Sequence, residues 1–318
     1  VSGRPAGSLV CVSLAPSLDR YLRLAAFTAG TINRPASVVE RAGGKGLNVA
    51  RTATALAVPV RSLVLAGGDT GTRLRRLAAA EGAVVTWVDG EAETRQCSCL
   101  LDETSGELTE VYEPVRPVPA PVGRRWEAAV ERLFATLTGA DVVAVSGRAP
   151  EGLPADVLAA IVVRARSAGA EVLVDSDGPH LRAAVEAGPD LVKVNQAEAA
   201  RATGEPDPWA ASDALRRGGA RSVVVTLGEG GAVHVGPHGE RLSVTHEPVP
   251  RALPVGSGDA FTAGWAAVRL GPGLAAYGEP AGRLRLASAA ARANARVFEA
   301  GDVSLGSVLS ELPGVHVR

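Results

Sequence analysis

Residues 171–198 read EVLVDSDGPHLRAAVEAGPDLVKVNQAE. The β-branched run Glu171–Val174 ends on an aspartate, the amphipathic stretch Pro179–Glu186 follows, and a second β-branched run, Leu191–Val194, leads into Asn195. Two short strands bracketing one helix are the repeating unit of a parallel sheet with crossover helices. The alternation continues outward in both directions. Strands are expected at Leu9–Leu14, Ser62–Ala66, Val142–Ser146 and Ser222–Thr226, and helices at Leu47–Leu56, Thr72–Ala80, Arg125–Thr136, Ala155–Ala168 and Ala260–Arg269. The pattern predicts a doubly wound α/β core.

Two segments break it. From about residue 19 to 41, and again from about 93 to 118, the pattern is strand-like without an intervening helix, and the second stretch runs into Pro114, Pro117, Pro119 and Pro121. Together they are expected to form a small sheet projecting from the core, a lid that excludes water from a transferring group. With no internal repeat, low-complexity tract or long linker, residues 1–318 are expected to form one domain.

Lys and Arg number 33 against 34 Asp and Glu, a net charge of -1, which argues against nucleic acid or an anionic membrane as a bulk partner. Hydrophobic residues at 46% and charged residues at 21% exclude a disordered chain or a coiled coil. Cys11, Cys97 and Cys99 are too few for a disulfide framework and have no histidine at zinc-like spacing, so a reducing, cytoplasmic setting is expected. The apolar run Leu9–Ala15 follows Arg4, but it is short and lacks a convincing cleavage site, and it reads as a first buried strand. No run approaches the roughly 20 apolar residues of a membrane helix. The sequence contains no Met, so Val1 is expected to be either a start codon read literally or a trimmed terminus. Among the basic residues, Lys45 and Lys193 are the only lysines, and both fall within the motifs that follow.

Pro254-Val255-Gly256-Ser257-Gly258-Asp259-Ala260-Phe261-Thr262-Ala263-Gly264 sets two glycines around a serine where a helix begins, so several backbone N–H groups can converge at the positive end of the helix dipole. Such a turn is an anion hole, in which a carboxylate is electrostatically wasteful unless it has a task. Asp259 is therefore a candidate general base for a substrate hydroxyl; the plainer alternative is an acidic residue favouring a helix N-terminus. Arg41-Ala42-Gly43-Gly44-Lys45-Gly46-Leu47-Asn48-Val49-Ala50-Arg51 is a second glycine turn, where the backbone can approach a ligand and Asn48 offers both a donor and an acceptor, or an ordinary turn before a helix. It matches neither GxGxxG nor a Walker loop. In Lys193-Val194-Asn195-Gln196-Ala197-Glu198, Asn195 and Glu198 stand one helical turn apart, either to serve water-bridged magnesium and nucleotide phosphates or to cap a helix. Thr226-Leu227-Gly228-Glu229-Gly230-Gly231 can approach a nucleotide or make a tight connection.

In this order, and over nearly the whole chain, these segments resemble the PfkB (ribokinase-like) family of carbohydrate kinases. Gly43-Gly44-Lys45-Gly46-x-Asn48 is similar to its first signature and Val255–Phe261 to its second. Leu14–Asp19, Gly46–Arg51, Thr94-Arg95-Gln96 and Ser146-Gly147 resemble the phosphosugar branch, which includes 1-phosphofructokinase, 6-phosphofructokinase of this fold and tagatose-6-phosphate kinase. Departures are Ala15, Val194 and Ser257, where many members carry Asn, Pro and Ala; none removes a group the chemistry requires.

The resemblance implies a three-layer α/β/α sandwich with a mostly parallel central sheet, a β-sheet lid, and ATP- and Mg²⁺-dependent phosphoryl transfer to a sugar phosphate, foremost a ketohexose phosphate. It implies that Asp19, Gly44 and Asn48 hold sugar hydroxyls, with Gly43 and Ser146 also at the substrate. By the same likeness Asp259 deprotonates the acceptor, and the amides of Gly256, Ser257 and Gly258 stabilise the transferring group. Lys193, Asn195 and Glu198 would serve the nucleotide and magnesium, with Thr226, Gly228 and Gly231 along the nucleotide site. A dianionic substrate needs fixed guanidinium groups, for which Arg34, Arg95 and Arg148 are the candidates. A homodimer through the lid is also implied, since exposed sheet edges need covering. Two other readings stay open, a kinase for an unphosphorylated sugar or a nucleoside and a catalytically silent sugar or nucleotide sensor; with only 4 Phe, 4 Trp and 3 Tyr, few rings are available to stack a base. Asp259→Asn is expected to cost roughly 10² to 10⁴ in rate and little stability.

Overall fold

The computed structural model describes residues 7–318; Val1 and Arg4 lie outside the described residues. The first half of the chain supplies β1 (Leu9–Ser13), β2 (Ser17–Leu24), β3 (Ser37–Gly43), β4 (Val60–Ala66), β5 (Val85–Asp89), β6 (Gln96–Asp102), β7 (Leu108–Tyr112) and β8 (Val142–Ser146). The second supplies β9 (Glu171–Asp175), β10 (Leu191–Asn195), β11 (Val223–Thr226), β12 (Ala232–Val235), β13 (Arg241–His246) and β14 (Val315–Val317). The helices are α1 (Lys45–Ala55), α2 (Gly68–Ala80), α3 (Ala120–Phe134), α4 (Val157–Ser167), α5 (Gly178–Glu186), α6 (Gln196–Thr203), α7 (Pro208–Arg217), α8 (Ser257–Leu270), α9 (Pro280–Asn294) and α10 (Leu305–Glu311).

Ten strands form the central sheet in the order β14-β13-β12-β11-β10-β9-β8-β1-β4-β5. From β5 to β11 neighbours run parallel, and β12, β13 and β14 add an antiparallel edge. The central strands β1 and β8 are buried along their whole length, which is why LVCVS and VVAVS show no polar alternation. One face of the sheet packs against α3, α4, α5 and α7, the other against α1, α8, α9 and α10, giving three layers with a core on each side. Helix α3 starts five residues before the expected Arg125, because Pro121 sits in its first turn, where a missing N–H is harmless. Helices α8 and α9 touch almost backbone to backbone: a Cβ on Gly264 would lie 2.9 Å from Ala287 Cα and 2.9 Å from Ala290 Cβ.

The two segments that break the alternation supply a second sheet, in the order β3-β2-β6-β7. Only its β2–β6 pairing is parallel. Val38, Leu22 and Leu100 lie side by side across one face, with Val38 45% and Val111 58% exposed. Its inner end begins at Ser17, and β3 runs directly into α1 through Gly44. No helix of the described residues is long and apolar enough to cross a membrane.

Candidate active site

A cleft of about 760 Å³ opens where the parallel strands end and the second sheet begins. This is the place where open α/β sheets bind ligands. Two glycines shape it. Gly44 precedes α1 with φ 89°, and a Cβ there would lie 2.7 Å from Pro16 Cα, so the turn can pass close beneath the β1–β2 connection only without a side chain. Gly256 caps α8 with φ 78°, and a Cβ there would lie 2.5 Å from Ala300 Cβ. The left-handed residue turns the chain so that the start of α8, Gly256 to Gly258, lines the cleft, although the Ser257 N–H is taken by Pro254 O at 3.0 Å.

Asp259, in the first turn of α8, is 5% exposed and accepts a hydrogen bond from Asn48 Nδ2 at 2.9 Å. Burial, and then the nearby negative charge of Asp175, push its carboxyl up to about 7 against the pull of Lys45, Lys193 and Asn48. A carboxylate tuned near neutrality is suited to take a proton from a hydroxyl. Asp175 ends β9 fully buried, with Lys193 Nζ 2.7 Å from Oδ2 and Lys45 Nζ 2.8 Å from Oδ1. Burial alone would raise its pKa, but the two ammonium groups pull it down to about 2. For Lys45 burial is likewise outweighed, by Asp175, Glu198 and Asp259, which hold it well above the ordinary lysine value. The chain's two lysines therefore grip one carboxylate and stand as fixed positive charges beside Asp259.

Across the cleft, Asp19 accepts from Ser17 Oγ at 2.5 Å and from the Gly44 N–H at 3.4 Å, and burial raises its pKa. Arg95 lines the same end; its Nη2 donates to Ala15 O at 3.4 Å, while its buried Nε has no partner among the described residues. An unpaired buried guanidinium donor is costly unless an anion completes it. Thr226, Gly228 and Gly231 border the other end, with Lys193, Asn195 and Glu198 nearby.

Several expectations change. Asn195 and Glu198 close a capping box at the start of α6: the Glu198 N–H donates to Asn195 Oδ1 at 2.8 Å and the Asn195 N–H to Glu198 Oε2 at 2.9 Å. They do not present a free pair of oxygens, because the orphan N–H groups of a helix start claim both. Arg148 reaches the cleft, but its guanidinium is held in a two-pronged pair by Asp177, with Nε 2.7 Å from Oδ1. Arg34 is exposed and lies outside the cleft, in the connection before β3. Gly43 does not line it either: the Asp19 carboxylate fills the space of its absent side chain, since a Cβ would lie 1.9 Å from Oδ2. Ser146 is buried and does not line the cleft, its Oγ without a partner among the described residues, while the adjacent Gly147 does line it. Asp175 is the site residue that the sequence does not single out: it stands at a strand end beside the ligand crevice, but only the fold brings the two lysines onto it.

Comparison with known proteins agrees with this geometry. A family model described as pfkB family carbohydrate kinase matches residues 7–305. The chain is 33% identical over 267 residues to a 1-phosphofructokinase of Rhodobacter capsulatus, covering 80% of this chain and 82% of that one. It is 34% identical over 258 residues to the ATP-dependent 6-phosphofructokinase isozyme 2 of Escherichia coli strain K12, covering 79% and 82%. Its fold superposes on the crystal structure of Escherichia coli phosphofructokinase-2 in complex with substrates and products with a TM-score of 0.83, at 27% identity, over 96% of this chain and 98% of the other.

Proposed function

Given that this chain belongs to the pfkB family of carbohydrate kinases, we propose that it transfers the γ-phosphoryl group of ATP to a hydroxyl of a ketohexose phosphate. The names of its relatives, 1-phosphofructokinase and ATP-dependent 6-phosphofructokinase, support the acceptor class and the nucleotide. The observation that carries the reading is the buried Asp259 carboxylate at the anion-hole turn, tuned to about 7 and hydrogen-bonded to Asn48. As the acceptor oxygen bonds to phosphorus and the bond to ADP breaks, the hydroxyl proton passes to Asp259. The transition state is loose, so positioning and charge supply most of the acceleration. The Gly256 and Gly258 amides serve the equatorial phosphoryl oxygens, the Ser257 N–H being taken by Pro254 O, with Lys193 beside them. Asp19, Gly44 and Asn48 orient the sugar hydroxyls, and the Arg95 guanidinium, on the cleft wall, pairs with the phosphate the sugar already carries.

Magnesium fits the nucleotide end modestly. Glu198 spends Oε2 on the Asn195 amide but keeps Oε1, 3.7 Å from Lys45 Nζ. One carboxylate oxygen with waters and phosphates meets the few direct protein ligands this ion takes. When bound, the ion would contribute positive charge to the phosphate oxygens. The four-stranded sheet serves as the lid of a single domain, and its exposed Val38–Leu22–Leu100 face is covered by a second copy of the chain.

The test is ADP release with ATP and Mg²⁺ over fructose 1-phosphate, fructose 6-phosphate, tagatose 6-phosphate, free fructose, ribose and adenosine. Turnover confined to a phosphorylated ketose supports the proposal. Turnover only on neutral acceptors removes the phosphate role of Arg95, and sugar binding without ADP release replaces the kinase by a sensor.

A further inference from the structure

Asn48 has two partners that leave its amide one orientation. Nδ2 donates to Asp259, and Oδ1 accepts from Nη1 of Arg51, one turn along α1, at 3.1 Å. A guanidinium has five donors and no acceptor, so the amide oxygen must face Arg51 and its NH₂ group must face the carboxylate. Turned over, the amide would set an oxygen against ionised Asp259 and two N–H groups against a cation. Arg51 is itself immobilised, with its side chain only 14% exposed. Nη1 also donates to Ala300 O at 2.9 Å, Nη2 to Ala42 O, and Nε and Nη2 reach Glu81 Oε2 at 3.1 and 2.9 Å. Ala300 belongs to the loop against which Gly256 packs. Asn294 ties that loop to the anion-hole turn, accepting from the Gly301 N–H at 2.8 Å and donating to Val255 O at 2.7 Å. Arg51 thus joins the loop that braces the turn to the amide that touches the base.

Resting on the reading of Asp259 as base, we propose that Arg51 is a positioning residue for the phosphoryl transfer: by fixing the Asn48 amide, it aims the Asp259 carboxylate and favours its ionised form. The groups facing Asp259 are Asp175 from β9, Lys193 from β10, and Lys45 and Asn48 from α1. Among the described residues no hydrogen bond or ion pair joins Arg51 to Asp259 directly, so its effect passes through Asn48.

Arg51→Lys keeps a cation near Glu81 but offers one ammonium in place of a fork. The ionisation of Asp259 is followed by its carboxyl ¹³C shift in the ligand-free protein, and the acidic limb of kcat/KM is recorded alongside, for wild type, Arg51→Lys, Asn48→Leu and the double variant; thermal melting confirms that each is folded. Loss of one charge-assisted hydrogen bond is expected to move the midpoint of Asp259 ionisation and the acidic limb up by about one pH unit in Arg51→Lys. In the Asn48→Leu background the same change is expected to add nothing, since the amide it acts on is gone. An unmoved ionisation in folded Arg51→Lys, or shifts that add in the double variant, overturns the proposal. Full activity in Asp259→Asn overturns instead the assignment of the base on which it rests.

Discussion

Replacing Asp259 by Asn is expected to make the protein slower and, at alkaline pH, more stable. Asn matches the carboxylate in shape, and its carbonyl oxygen can still accept from Asn48 Nδ2, so the substitution removes a charge and little else. Folding raises the Asp259 pKa from 3.8 to about 7. A rise of about three units, at about 1.36 kcal/mol each, means that the fold holds the ionised form at a cost of about 4 kcal/mol. The sign follows from linkage. With the folded value above the unfolded one, the cost is absent below about pH 4, grows as pH rises towards 7, and stays constant beyond. Urea unfolding is therefore expected to show Asp259→Asn more stable than wild type by up to about 4 kcal/mol at pH 8, and by about 1.5 kcal/mol at pH 5. The sequence alone leads to an expectation of little change in stability; the burial of Asp259 leads to this different one, which the urea titration decides. Over the same variants ADP release should fall by roughly 10² to 10⁴. A stability difference that is the same at pH 5 and pH 8, or an activity loss under tenfold, refutes the reasoning.

The wild-type kcat/KM should rise with pH through about 7, as Asp259 loses its proton, when initial rates are followed from pH 5.5 to 8.5. Arg95→Ala should raise KM at least tenfold for phosphorylated ketoses and much less for neutral sugars, measured side by side; equal effects remove Arg95 from the phosphate site. Asp175→Asn leaves the buried Lys193 ammonium without its carboxylate and with the partly exposed Lys45 ammonium beside it, and denaturant titration at pH 7 should show a loss of about 3 to 5 kcal/mol. Gly258→Ala would set a Cβ 2.6 Å from Lys193 Nζ; because that atom ends a flexible side chain the protein should melt within a few degrees of wild type, while kcat falls at least tenfold as Lys193 is pushed aside.

The central strands were legible because burial on both faces leaves unbroken β-branched runs, as in Val142–Ser146 and Glu171–Asp175. Helix α9 was not, since Leu284, Leu286, Ala287, Ala289, Ala290 and Ala293 are all buried and a helix covered on several sides carries no apolar stripe. The antiparallel edge β12–β14 was hidden by length, with β12 and β14 spanning only four and three residues. Within the site, glycine-rich turns identified Gly44, Asn48 and Asp259, because a close backbone approach leaves a mark in composition. Asp175 left none, since a single acidic residue after a strand is indistinguishable from a turn residue until the lysines of two distant segments meet on it. Arg34, Arg95 and Arg148 looked alike as sequence. What separates them is the third dimension: solvent around the first, an unfilled donor on the second, and the Asp177 carboxylate on the third.

The meeting of Lys45 and Lys193 on one carboxylate also gives the protein a built-in spectroscopic reporter. Growth on ¹⁵N-labelled lysine would place isotope at two side chains, both on the wall of the cleft and both 2.7 to 2.8 Å from Asp175. A protein of 318 residues would then return two ε-ammonium resonances. Each nucleotide or sugar added to the tube could be tested for entry into this cleft without a substitution, a tag or an assignment of the rest of the chain.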